Sequence, residues 1–78
     1  MQPIRLSRHA KRRIRLYKIE EKDVIDALQK VELHNEGKFD VIIEELKEKY
    51  KYPLKISYDV TENLIMVITA YPFKGKIK

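Results

Sequence analysis

The stretch LKISYDVTENLIMVITA, residues 54–70, decides the fold that we expect for this chain. Residues 54–60 alternate between apolar and polar side chains, which indicates a strand with one buried and one solvated face. Thr61-Glu62-Asn63 is short and polar and predicts a hairpin turn. Residues 64–70 are apolar at almost every position, so we expect the central strand of a sheet, buried on both faces and ended by Pro72.

Two helices are predicted before this hairpin. Ile4-Arg5-Leu6 suits a short edge strand or an extended arm, and Ser7 can then cap a helix over residues 8–17. The buried stripe of that helix is predicted to be Ala10, Ile14 and Tyr17, because they recur at four and three residues. A second helix over residues 20–30 begins with acidic residues, which favour the positive end of the helix dipole. Its predicted core face consists of Val24, Ala27, Leu28 and Val31.

The segment from residue 31 to residue 52 allows two interpretations. After a break at Gly37, the apolar side chains keep helical spacing as far as Tyr50 and predict a third helix. Residues 39–43 are also β-prone, so an additional strand is the alternative. The predicted fold class is α+β, with two or three helices packed on one face of a small antiparallel sheet. Residues 1–78 should form a single domain, because so short a chain cannot build a second core.

The composition excludes several classes of protein. The chain has no cysteine, so a disulfide framework and a thiolate metal site are impossible. Two histidines do not suggest a zinc site, and we expect neither a metal nor a cofactor. No apolar run resembles a signal peptide or a membrane span, so the cytoplasm is the expected location and no membrane partner is expected. The abundance of Lys and Glu is typical of a heat-adapted source.

The net charge of +5 is unevenly distributed along the chain. Residues 1–18 hold seven Lys or Arg and no acid, whereas residues 20–48 hold ten acids and four bases. Residues 49–78 hold six bases and two acids. Such segregation favours a surface that attracts polyanions. The alternative is an ordinary solvated surface of a heat-adapted protein.

His9 is the first candidate for chemistry. Arg12 and Arg13 follow it by three and four residues, so the three side chains should project from a common side of the helix, with Leu16 beside them. An imidazole titrates near neutral pH and can move a proton to or from an RNA 2′-hydroxyl, while guanidinium groups hold phosphate oxygens. In the alternative interpretation His9 packs at the helix start and the arginines are merely solvated.

A second group of candidates lies on the last strand. Thr69 and Tyr71 should share one side of that strand and are followed by Lys74 and Lys76, which together could hold a phosphate or stack on a base. Alternatively, Tyr71 anchors the edge of the sheet. The other candidate phosphate-binding residues are Arg8, Lys11 and Arg15. His34 has no basic neighbour before Lys38 and is interpreted as a surface histidine.

Two runs of this sequence resemble a family of small domains of unknown function that are related to RelE and other RelE-fold ribonuclease toxins. The first run continues from Ser7 through Ile14 to Val24, and the second is Ile68-Thr69-Ala70-Tyr71-Pro72. The positions that match the pattern of the first run are His9, Ala10, Arg13, Ile19, Glu20, Glu21 and Val24. Tyr17 departs from the pattern, because the family often carries another arginine there.

The resemblance implies an antiparallel sheet with two leading helices, metal-independent RNA cleavage and pairing with an antitoxin. The first hypothesis is therefore a small ribonuclease that acts on free or ribosome-bound RNA or on tRNA. His9 would be its acid or base, and Arg12 and Arg13 would hold the phosphate. Support from the sheet would come from Thr69, Tyr71 and Lys74. A second hypothesis is a non-catalytic RNA-binding or regulatory domain. A third is a protein-interaction module that docks through its acidic helix.

Overall fold

A computed structural model describes residues 3–31, 36–62 and 64–74 and confirms the α+β class. The elements in chain order are β1 (Ile4–Leu6), α1 (Arg8–Leu16), α2 (Glu21–Gln29), β2 (Gly37–Ile43), a 3₁₀ turn (Glu44–Leu46), α3 (Lys47–Tyr50), β3 (Leu54–Val60) and β4 (Ile65–Pro72). The two long helices therefore precede the hairpin of β3 and β4, as the hydrophobic spacing predicts.

The four strands form one sheet in the order β1-β4-β3-β2. Strand β3 pairs antiparallel with both β4 and β2, whereas β1 pairs parallel with β4. The sheet is therefore mixed. The parallel pairing of β1 with β4 is possible because most of the chain lies between these two strands, whereas a hairpin would make them antiparallel. The central position expected for the last strand is confirmed, since β4 lies between β1 and β3.

The predicted third helix is largely replaced by a strand. Residues Gly37–Ile43 form β2, which pairs along its whole length with β3, and helix is found only at Lys47–Tyr50. Pairing places Val41 opposite Ile56 and Ile43 opposite Leu54, so the apolar side chains of β2 extend the core layer. The cross-strand partners supplied by β3 therefore decide between two patterns that the sequence allows.

The core lies between the helices and one face of the sheet. Strand β3 alternates fully buried and half-buried residues, as predicted for a strand with one solvated face. The largest fully buried side chains come from both layers: Leu28, Leu54, Ile56, Val24 and Val67. We call the sheet face that points away from this core the open face.

Strand β4 is buried on one face rather than on both. Ile65, Val67 and Ala70 are buried, whereas the residues between them are half-buried. The register with β3 shifts so that Ser57 pairs with Thr69 and Tyr58 with Val67, which leaves Ile68 as an extra, bulged residue. Because of this bulge, Thr69 projects to the open face instead of into the core.

Helix α1 ends one residue earlier than predicted, in a turn with a left-handed residue. Lys18 has φ of 57°. The amide of Ile19 donates to the carbonyl of Ile14 over 2.7 Å, and that of Lys18 donates to the carbonyl of Arg15 over 3.2 Å. These two bonds form a Schellman motif. The prediction that Tyr17 is buried is wrong, because the turn brings Ile19 into the core and leaves Tyr17 exposed.

Candidate nucleic-acid interface

Ser7 fixes the start of α1 against the middle of β4. Its hydroxyl accepts a hydrogen bond from the amide of Ala10 and donates one to the carbonyl of Ile68, both at 3.0 Å. Its own amide donates to the carbonyl of Val67 over 2.9 Å. The cap predicted from the sequence is therefore confirmed, and it also joins the helix to the sheet.

The side chains of α1 are distributed around two buried residues, Ala10 and Ile14. With successive residues about 100° apart around the axis, His9 and Arg13 fall on one flank of the exposed surface and Arg12 at its centre. Leu16 lies between them. All of these side chains are exposed. The histidine and the two arginines thus lie on one exposed side of α1, as their spacing predicts.

The remaining basic residues complete a cationic helix surface. Arg8 lies at the start of the helix, and Lys11 and Arg15 occupy the flank opposite His9, where all three are exposed. The first turn contains no acidic residue. Among residues 3–31, 36–62 and 64–74, no carboxylate forms an ion pair with a basic side chain of α1. Within these ranges no salt bridge therefore neutralises a basic side chain of this helix, and phosphate groups would be attracted to it.

The imidazole of His9 is accessible but is not held in place. It is exposed, and its ring makes no hydrogen bond to any residue that the structure describes. A histidine that works as an acid or base is commonly oriented by a second group. No residue of the described ranges orients the ring of His9 in this way.

Thr69 and Tyr71 lie on the open face of the sheet. Their cross-strand neighbours are Ser57 and Lys55, respectively. They share one side of β4 as predicted, but that side points away from the helix layer and hence from His9. Strand β1 pairs with β4 only as far as Val67, so this edge of β4 has no further strand partner in the described ranges. At this edge, the candidate residues of α1 therefore lie on the helix side of the sheet, and Thr69 and Tyr71 lie on the open face.

Two cation–π contacts lie where β3 begins and β4 ends, and neither was predicted from the sequence. The Nζ atom of Lys55 lies 5.7 Å from the ring centroid of Phe73, and that of Lys74 lies 5.4 Å from the ring centroid of Tyr52. Lys74 is thus already in contact with an aromatic ring. The alternation along β3 places Lys55 on the solvated face of the sheet. Its contact with Phe73 could not be predicted, because it depends on tertiary structure. Lys76 and His34 lie outside the described residues.

The acidic start of α2 is tied to α3 by a polar cluster. The Nζ atom of Lys49 lies 2.6 Å from a carboxylate oxygen of Glu20 and 2.8 Å from one of Asp23. The hydroxyl of Tyr50 donates to Asp23 and accepts a 3.1 Å hydrogen bond from the amide of Glu20. The hydrogen bonds from Lys49 and Tyr50 lower the pKa of Asp23. Burial and the bond to Asp23 raise the pKa of Tyr50.

This cluster, which we call the α2–α3 cluster, reduces the acidic surface that is available to a protein partner. Two of the carboxylates at the start of α2 are already engaged by a lysine of the same chain. The third hypothesis, docking through the acidic helix, therefore receives no support from Glu20 and Asp23.

An open groove of about 590 Å³ separates the end of α1 from the start of α2. Bases and acids both line it: Lys11, Ile14, Arg15, Ile19, Glu20, Glu21 and Lys22. This mixture is less suited to a polyanion than the flank that carries His9.

The described residues contain no cluster of three His, Cys, Asp or Glu side chains that could hold a metal ion. Within the same ranges, no helix is long and apolar enough to cross a membrane. Comparisons with protein-family profiles, with curated proteins and with solved structures find no match to this chain.

Proposed function

We propose that this protein binds RNA through α1 and cleaves it without a metal ion, as the toxin-like member of a pair with an antitoxin. The observation that carries the proposal is the flank of α1, where an exposed imidazole precedes two exposed guanidinium groups by one helical turn. The resemblance to RelE-related domains points in the same direction.

The chemistry that fits this arrangement is attack by a 2′-hydroxyl on the neighbouring phosphorus atom. The new bond forms between the 2′ oxygen and phosphorus as the bond to the 5′ oxygen breaks, and the products are a cyclic phosphate and a 5′-hydroxyl. His9 supplies one of the two proton transfers, from the attacking or to the leaving oxygen, and water completes the other. Arg12 and Arg13 stabilise the negative charge that builds on the phosphate oxygens.

The test is an RNA cleavage assay in EDTA with a panel of single-stranded, ribosome-bound and transfer RNAs. We expect cleavage by the wild type and a loss of roughly 10²- to 10⁴-fold in His9→Ala, the range typical of a lost acid or base. Lys47→Ala is the control, because Lys47 is an exposed cation on α3, outside the proposed interface. Equal inactivity of the wild type and His9→Ala across the whole panel would refute the enzyme proposal.

A second candidate function is RNA binding without cleavage, which is favoured because His9 has no hydrogen-bond partner among the described residues. In that case RNA binding weakens steeply with salt, and Arg12→Ala reduces the slope of log K against log salt by about 0.7 for a single strand. His9→Ala then leaves the affinity nearly unchanged, and no cleavage products form.

A further inference from the structure

Tyr17 stands directly after α1 in line with His9 and Arg13. The three residues are spaced by four, so they follow one another at steps of about 6 Å along the helix, and each side chain is turned about 40° further toward the buried stripe. Tyr17 is 37% exposed, and the neighbouring Leu16 is 66% exposed. An aromatic ring and an aliphatic side chain thus continue the flank that carries the histidine and the arginine.

The ring of Tyr17 has no aromatic or cationic partner in the described part of the fold. By contrast, five of the six other aromatic residues there, all but Tyr71, are in ring or cation contacts: Tyr58 with Phe39, Tyr50 with Lys49, Phe73 with Lys55, and Tyr52 with Lys74. A domain this small has few apolar side chains to spare from its core. Two exposed ones beside a cationic helix that has no salt bridge in the described ranges therefore point to a ligand that offers both negative charge and a flat apolar surface.

We propose that Tyr17 stacks on an unpaired base of an RNA strand whose phosphates lie along Arg13 and Arg12, so that the ligand is single-stranded RNA. This inference rests on the proposed RNA-binding function and specifies its substrate class. The bases of a duplex are already stacked on one another, whereas those of a single strand can turn outward onto an aromatic ring. Every base has such a flat face, so stacking on Tyr17 distinguishes single-stranded from double-stranded RNA more than it distinguishes one base sequence from another.

An anionic membrane surface is the competing occupant of a basic helix with exposed apolar residues. A helix that lies in a membrane interface presents a continuous apolar face to the lipid. The apolar stripe of α1, Ala10 and Ile14, is instead buried against the sheet. Only Leu16 and Tyr17 remain available, which favours the nucleic acid.

The experiment measures binding of labelled strands by fluorescence anisotropy at fixed salt. The probes are a single-stranded RNA, the same strand with abasic sugars in place of bases, an RNA duplex, and vesicles of anionic phospholipid. The variants are Tyr17→Leu, which keeps an apolar side chain but removes the ring, and Tyr17→Phe, which keeps the ring. Phe39→Leu is the matched control, because Phe39 is similarly exposed but lies on the edge strand β2. Thermal unfolding verifies that each variant is folded.

We expect Tyr17→Leu to weaken binding to the single strand by roughly 5- to 150-fold, the equivalent of a lost base–aromatic stack of about 1–3 kcal/mol. Tyr17→Phe and Phe39→Leu should bind it like the wild type. On the abasic strand, which has the same charge, Tyr17→Leu should match the wild type. Equal affinity of the wild type for single strand and duplex, or of Tyr17→Leu and the wild type for the single strand, overturns this inference while RNA binding stands. Binding to vesicles and to no RNA overturns the proposed function as well.

Discussion

Lys18 offers a sharp test of how the end of α1 is built. It is one of two non-glycine residues with positive φ in the described ranges, at 57°. In this region the Cβ atom of an L-residue crowds its own backbone, at a cost of about 1–2 kcal/mol, which glycine avoids. The position corresponds to the C′ residue of a Schellman motif, where glycine is the usual choice. Lys18→Gly should therefore stabilise the protein.

The size of this gain follows from two opposing effects. Relief of the left-handed conformation contributes about 1–2 kcal/mol, and the added freedom of glycine in the unfolded chain subtracts roughly 0.4–1 kcal/mol. We expect a net gain of about 1 kcal/mol in the free energy of unfolding, or roughly 4–8 °C in melting temperature for a domain of this size. Lys18→Ala is the matched control, since it removes the same charge but keeps the Cβ atom.

The assay is urea unfolding followed by circular dichroism, with the three proteins at the same pH and salt. Lys18→Gly should unfold at a higher midpoint than Lys18→Ala with an unchanged slope. If the two variants unfold at the same midpoint, the turn does not hold residue 18 in the left-handed region. The alignment of Tyr17 with the flank of α1 would then lose its structural basis, because the same turn ends the helix at that point.

Two further predictions concern the α2–α3 cluster. Tyr50→Phe removes a hydroxyl that donates to Asp23 and accepts from the amide of Glu20. We expect it to lower the free energy of unfolding by about 1 kcal/mol in thermal or urea unfolding, and an unchanged midpoint would show that water replaces these bonds. The second prediction uses the lowered pKa of Asp23. The hydrogen bonds from Lys49 and Tyr50 to the Asp23 carboxylate stabilise the fold fully above the ordinary pKa of 3.8, and this stabilisation is lost as the pH falls through the lower pKa of the folded state. Asp23→Asn should therefore lose less stability than the wild type on acidification, and parallel acid-unfolding curves would contradict this assignment.

The parts of the fold that were predicted correctly are those decided by local chemistry. Ser7 is a strong helix cap wherever the chain places it, and the alternation of residues 54–60 can be buried in only one way. The segment from Phe39 to Tyr50 differs, because its apolar spacing suits a helix while its composition suits a strand. The pairing with β3 decided the outcome, and no local pattern encodes that pairing.

The candidate site was predictable to a similar degree. Helical spacing alone places His9 beside Arg12 and Arg13, and the structure has them on one exposed surface. The exposure of Tyr17 could not be foreseen, because a lysine rather than a glycine occupies the left-handed position that ends the helix. The orientation of Thr69 could not be foreseen either. The bulge adds one residue to β4, so the residues after it point to the opposite face from the one that strict alternation predicts.

The fold also explains how a strongly acidic segment can adjoin the cationic surface of α1 without forming salt bridges to it in the described ranges. Residues 20–48 carry most of the acids, and Glu20 and Asp23 lie within a few residues of Tyr17. Lys49 comes from the basic last third of the chain and contacts both of these carboxylates. Their charge is thus partly compensated within the α2–α3 cluster instead of by the arginines of α1. The arginines remain free of carboxylate partners in the described ranges, and this freedom is what the binding of a phosphate chain requires.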